Sequence, residues 1–280
     1  MKRIVGCFSN CFGADGVRTA VERLRSTGLS TIELALRGHD FGGLVIPESA
    51  VITVDSSEAE VKGLRALMAR EGVAASGCNV GGANILTEEG LRLTLRRVEL
   101  AGKRFGVPLV ITGAGQPKDA GERRVMVDHL RILGDAAGAL GMVLALETHQ
   151  GPTRNARAML ELMSEVDHPS VGLNFDTGNI AYYNPGMDPV DELEKVKKLV
   201  RNVHLKDNRG GFEDWYFPAV GDGGSVNFRR VREILDGVGF VGPYTIEIEG
   251  IGGESEPGLE GRVERLSRSV KHLEKAGYFD

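Results

Sequence analysis

The sequence predicts an α/β protein, a (β/α)8 TIM barrel formed as one domain over residues 1–280. Three observations carry this expectation. Short β-branched runs alternate with amphipathic stretches from one end of the chain to the other. Eight such runs are present. Eight units in 280 residues leave about 35 residues each, the length a strand, a crossover helix and two turns require. An open doubly wound sheet would use the same alternation, but no dinucleotide glycine fingerprint follows the first run.

The runs, in order, are "RIVGCFS", "TIELAL", "VAASGCNV", "PLVITGAG", "MVLALETH", "VGLNFDTG", "VRNVHLKD" and "YTIEIEG". Between them stand helical patterns such as "DGVRTAVERLRSTG", "EEGLRLTLRRVELAGKRFG", "VMVDHLRILGDAAGALG" and "VDELEKVKKLV", and "GRVERLSRSVKHLEKAG" follows the last run. Several close on the glycine that commonly ends a helix. Two longer connections, residues 37–57 and 207–224, are expected to lie over a site, because barrel function resides in such loops. No second domain or low-complexity linker interrupts the pattern.

Composition narrows the function classes. Apolar residues make up 41% and charged residues 26%, and a net charge of -5 is spread without acidic or basic blocks, so no nucleic acid partner is expected. Three cysteines leave at least one unpaired, which fits a reducing cytoplasm. The apolar run near the start is too short for a signal peptide, and no run reaches membrane length. A soluble, cytoplasmic protein without a membrane partner is the expectation.

Alternate residues of a strand share a face, and the last four runs divide alike. Leu144 and Leu146 oppose Ala145, Glu147 and His149; Leu173 and Phe175 oppose Asn174 and Asp176. Val203 and Leu205 oppose Asn202, His204 and Lys206; Ile246 and Ile248 oppose Thr245, Glu247 and Glu249. One face suits packing under helices, and the other is polar. Glu147, Asp176 and His204 follow one another at 29 and 28 residues, and Glu247 comes 43 later, so each falls near the C-terminal end of a successive strand, where barrel sites form. Separately they would be salt-bridge partners. Four in phase suggest a shared cation, since buried carboxylates are costly alone. Three carboxylates and an imidazole suit one hard or borderline divalent ion, Mn2+ first, with Mg2+, Co2+ or Zn2+ as alternatives.

The ordered pieces "LALETH", "GLNFDTGN", "NVHLKD", "VGDGGSVNF" and "GPYTIEIEG" resemble the xylose-isomerase-like TIM barrel superfamily of sugar phosphate isomerases and epimerases, which includes ketose 3-epimerases, inosose dehydratases and endonuclease IV. The N-terminal half matches in rhythm, with "GLSTIELAL" as the second strand. The resemblance implies that Glu147, Asp176, His204 and Glu247 bind the metal, with Glu249 the rival of Glu247. It also implies a small carbohydrate substrate and a homodimer or homotetramer. The chain departs from the pattern at Asn179, where the epimerases and endonuclease IV usually carry His, and at Arg209, which lies five rather than six residues after His204. Six histidines are too few for the three-metal site of endonuclease IV.

What the resemblance implies for chemistry is isomerisation or epimerisation of a small ketose or keto-polyol through an enediolate, with Glu147 and Glu247 as base and acid. A lyase, dehydratase or decarboxylase, is the alternative, and a non-catalytic sugar-binding barrel the distant one. Lys206 would neutralise an oxyanion, grip a hydroxyl, or pair with Asp207 or Glu249. His149 would bond a hydroxyl or sit on the rim. Asn179 and Arg209 are further candidates for substrate contact. Glu33, inward in "TIELAL", lies in the substrate layer or anchors Lys or Arg side chains across the barrel. "GDGGSVNF" reads as an anion cradle or as a turn leading to Asn227 as helix N-cap. Tyr182, Tyr183, Trp215, Tyr216 and Phe217 are candidates for an apolar wall over a sugar.

Overall fold

The structure, a computed structural model, describes residues 3–36 and 52–279. Residues 37–51 of the first long connection, and with them most of its expected place over the site, lie outside the described residues. Each of the eight runs forms a strand: β1 (Ile4–Phe8), β2 (Thr31–Ala35), β3 (Ala74–Asn79), β4 (Leu109–Thr112), β5 (Val143–Glu147), β6 (Val171–Asp176), β7 (Val200–Leu205) and, after a short outer strand β8 (Tyr216–Phe217), β9 (Pro243–Ile246). They pair in parallel in chain order, and β1 closes the ring on β9. The expected barrel is therefore the observed one. Strand β8 pairs antiparallel with β10 (Gly250–Ile251) above the ring, a ribbon that the alternation does not reveal.

Helices α1 (Gly16–Leu24), α2 (Glu58–Glu71), α3 (Glu88–Leu100), α4 (Ala120–Ala139) and α5 (Ala156–Val166) fill the first crossovers. A short α6 (Thr177–Tyr183) and α7 (Pro189–Val196) share the sixth; α8 (Phe228–Asp236) precedes β9 and α9 (Leu259–Lys275) follows it. Their starts are chemical. Ser57 and Glu60 form a reciprocal capping box on α2, and Thr87, Asp119, Asn155 and Asp188 cap α3, α4, α5 and α7.

The apolar strand faces pack outward under this shell, where Ile32, Leu34, Leu144, Leu146, Leu173, Phe175, Val203, Leu205 and Ile246 are almost wholly buried. Inside the ring a small apolar patch of Leu109, Ile111 and Ala145 fills one side. The opposite side is polar: Glu33, Asn174, Asn202, His204 and Thr245 are buried there. The division predicted for the last four strands thus holds, because outward residues have helices to pack on while inward ones meet only each other.

After β7, Asp207 accepts backbone N–H groups from Asn208 (3.0 Å), Gly221 (2.8 Å) and Val226 (3.4 Å). A Cβ at Gly224 would sit 1.9 Å from Asp207 Oδ1, so the turn needs glycine there. The amides of "GDGGSVNF" thus serve Asp207, and the segment leads to Asn227, whose side chain caps α8 by accepting from Arg230 N (3.1 Å). The turn reading is the observed one. All three cysteines are free and buried. Among the described residues no helix is long and apolar enough to cross a membrane.

Candidate metal centre

Four strand ends deliver one cluster. Glu147 ends β5, Asp176 ends β6, His204 lies in β7 beside Asp176, and Glu247 directly follows β9. One ligand atom from each lies within 4.8 Å of the others. His204 Nδ1 is 3.0 Å from Glu247 Oε2, 3.6 Å from Glu147 Oε1 and 4.0 Å from Asp176 Oδ2. Four atoms bound to one ion at roughly 2.0–2.4 Å stand no more than about 4–5 Å apart, so the spacing fits a single cation. Nδ1 is buried and, among the described residues, makes no aligned hydrogen bond despite these oxygens. A ring nitrogen facing three carboxylates is an arrangement that a cation can replace the proton in, and the residues fit a divalent ion.

The four are held to different degrees. Asp176 Oδ1 accepts N–H groups from Gly178 and Asn179, both at 2.9 Å, and so caps α6. Its Oδ2 faces the centre. Glu247 Oε1 accepts from Asn10 Nδ2 (2.9 Å). His204 Nε2 donates to Glu33 Oε2 (3.0 Å). Glu147 is the least restrained: His204 is the ion-pair neighbour of its carboxylate, and 18% of its side chain opens to the cavity above. Lys206 Nζ lies 2.6 Å from Glu249, 3.4 Å from Glu247 and 3.5 Å from Asp176, and 4.6 Å above the Phe217 ring.

Burial pushes the Asp176 carboxyl up to about 8, with Glu247 adding repulsion against the pull of Lys206 and His204. Burial also opposes the charge on Lys206, yet Asp176, Glu247 and Glu249 outweigh it and hold the ammonium well above its ordinary value. For Glu247 burial loses to Lys206 and His204, which keep it well below the carboxylate range. Burial wins at Glu249, which is raised, and at His149, whose imidazole is lowered and so neutral near pH 7. A proton on Asp176 competes with an ion. So does a proton on His204: burial opposes its charge, yet Glu33, Glu247 and Glu147 hold the imidazolium well above its ordinary value. Mn2+ affinity is therefore expected to rise at least about tenfold per pH unit from pH 6 towards 8, with at least one proton released per ion; titration calorimetry in buffers of different ionisation enthalpy checks both.

A cavity of about 550 Å³ opens over the cluster. Tyr182, Tyr183, Trp215 and Phe217 form one wall, and Asn79, Gly81, Gly82, Gly115 and Gln116 another. Asn179 and His149 also line it; Asn179 Nδ2 donates to Thr148 O (2.9 Å), and His149 Nε2 is 2.8 Å from the Tyr183 hydroxyl. Several expectations are redirected. Lys206 pairs with Glu249 and not with Asp207, which is occupied by the loop. Glu249 thereby stands outside the four-residue cluster. Arg209 is bound to Asp214 and stacks over Tyr216, and neither Arg209 nor Tyr216 lines the cavity. Glu33 meets His204 and Asn202 rather than a Lys or Arg side chain.

The sequence reading missed Asn10, the glycine wall, and two threonine braces. Thr148 Oγ1 accepts Asp176 N (3.1 Å), and Thr177 Oγ1 accepts Lys206 N (3.0 Å) and donates to Lys206 O (2.7 Å). Their only signal was position beside a residue of the cluster.

Residues 21–275 match the xylose isomerase-like TIM barrel family. Among relatives, an inosose dehydratase of Geobacillus thermodenitrificans is 30% identical over 141 residues, covering 45% of this chain and 46% of its own. A 3-dehydroshikimate dehydratase of Bacillus anthracis is 33% identical over 107 residues, covering 36% and 38%. The chain matches about half the length of the first of these and less of the second. Among solved structures, a D-psicose 3-epimerase crystallised in the presence of D-fructose superposes with a TM-score of 0.77 at 14% identity, covering 99% of this chain and 100% of that one. A xylose isomerase-like TIM barrel protein from Mycobacterium smegmatis in complex with magnesium gives 0.73 at 20%, covering 98% and 97%. At these identities the structural likeness speaks for the fold alone.

Proposed function

Because the chain belongs to the xylose isomerase-like TIM barrel family, we propose that it is a divalent-metal-dependent enzyme acting beside the ketone of a small, unphosphorylated keto-polyol, and that its reaction is dehydration. The observation that carries this reading is the unequal restraint of the two glutamates. Glu147, Asp176, His204 and Glu247 would hold the ion, which would supply Lewis acidity at the ketone and so make the adjacent C–H more acidic. Glu147, free to move into the cavity, takes that proton and returns it to the hydroxyl leaving from the next carbon, which departs as water. Glu247, bonded by Asn10 and with Lys206 Nζ 3.4 Å away, is less free to move towards the opposite face.

Tyr183 and His149 are placed to hold substrate hydroxyls, and the aromatic wall suits the C–H face of a ring. Lys206 is the one Lys or Arg side chain among the described residues lining the cavity, and three carboxylates already surround it. That leaves little for a phosphate. The names of the sequence relatives agree with elimination. A second reading, epimerisation, is favoured by Glu147 and Glu247 approaching His204 Nδ1 from non-adjacent strands.

The test is incubation of Mn2+-loaded protein with an inosose and with 3-dehydroshikimate in D2O. Loss of one water, with growth of enone absorbance from the inosose or of aromatic absorbance from 3-dehydroshikimate, is the expected result. Solvent deuterium entering the substrate with inversion and no water loss would establish the epimerase instead. Binding without either change would leave a sugar-binding barrel.

A further inference from the structure

We propose that Glu33 is a positioning residue for the metal centre: its carboxylate fixes the His204 ring so that Nδ1 meets the ion, and raises the affinity of the site. The inference rests on the metal reading above and adds a residue that touches neither ion nor substrate. Glu33 comes from β2, across the barrel from β7, and is 1% exposed. A carboxylate so buried is costly unless something answers it. Here the answer comes from His204 Nε2 at 3.0 Å, with Asn202 Nδ2 at 3.4 Å.

Asn202 is itself held, since its Nδ2 also donates to Asn174 Oδ1 at 2.9 Å. The Phe8 ring stacks on the imidazole, with centroids 5.9 Å apart and planes 22° from parallel. Stacking fixes the plane of the ring. The Glu33 bond fixes its rotation within that plane, because only one edge can face β2 while the other faces the three carboxylates. An acceptor on Nε2–H also selects the tautomer with a free lone pair on Nδ1 and makes that nitrogen more basic.

The experiment measures Mn2+ and Zn2+ dissociation constants of Glu33→Gln and Glu33→Ala by competition with a chromophoric chelator. Asp176→Asn serves as the control, and melting is followed without metal. Both Glu33 variants are expected to bind about 10–100-fold more weakly, with Gln, which keeps an acceptor oxygen, nearer the wild type. In the Zn2+ form the 15N resonance of His204 Nε2 should shift, a readout that a general loss of packing would not move selectively. If Ala does not fold, the near-isosteric Gln variant decides alone. Affinities within twofold of wild type, with an unmoved Nε2 signal, would overturn the proposal. If Asp176→Asn keeps the ion, the metal reading itself has failed; if Asp176→Asn loses it while the Glu33 variants do not, only the positioning role has.

Discussion

Asp176→Asn is expected to leave a folded chain that retains almost no divalent ion, where the wild type carries about one per chain. The two oxygens of Asp176 have separate duties. Oδ1 caps α6 through Gly178 N and Asn179 N, a task that the asparagine oxygen performs equally well. Oδ2 faces the cluster, 4.0 Å from His204 Nδ1 and 3.5 Å from Lys206 Nζ. Replacing it with an NH2 group removes a ligand and points a donor at the Lys206 ammonium. Loss of a partner that only orients a ligand costs about 10–100-fold in metal affinity, so loss of the ligand itself is expected to cost more than about 100-fold. Elemental mass spectrometry on protein prepared without chelator reads the stoichiometry, and circular dichroism checks the fold. An ion retained at full stoichiometry by the variant would remove Asp176 from the site.

Glu147→Gln is expected to lower kcat by about 10²–10⁴-fold at saturating metal and substrate, the usual worth of a general base, while the ion is still bound. Gln keeps an oxygen that can ligate but cannot accept a proton. Separating the two roles therefore depends on measuring turnover at a metal concentration well above the variant's own dissociation constant. Exchange of the substrate's C–H in D2O should fall in parallel with turnover. Glu247→Gln should instead weaken metal binding first, because Asn10, His204 and Lys206 all address its charged form. Undiminished kcat in Glu147→Gln would sink the assignment of the base.

Glu147, Asp176, His204 and Glu247 were legible in the sequence because strand alternation forces every second residue to one side. A carboxylate or imidazole at the end of each of four successive strands then has one place to go. Lys206 was legible as inward, but not its partner. Asp207 and Glu249 were equal candidates by spacing, and the choice was made by the glycine loop that returns to Asp207 and by the ribbon of β8 and β10. Arg209 lies off the cavity for a similar reason: Asp214, five residues on, pairs with it over Tyr216.

Glu33 and Asn10 mark the limit most sharply. Glu33 lies in β2 and Asn10 just after β1, far in sequence from the side chains they bond. Their pairing with His204 and Glu247 exists only because β1 closes on β9 and β2 faces β7 across the ring. Periodicity along the chain, a local property set by backbone geometry, determined the barrel, its inward faces and the carboxylate and imidazole groups they carry. Which inward groups meet is a matter of ring closure and register, and only the tertiary structure decides that, because contacts across a barrel depend on distances that no single strand contains.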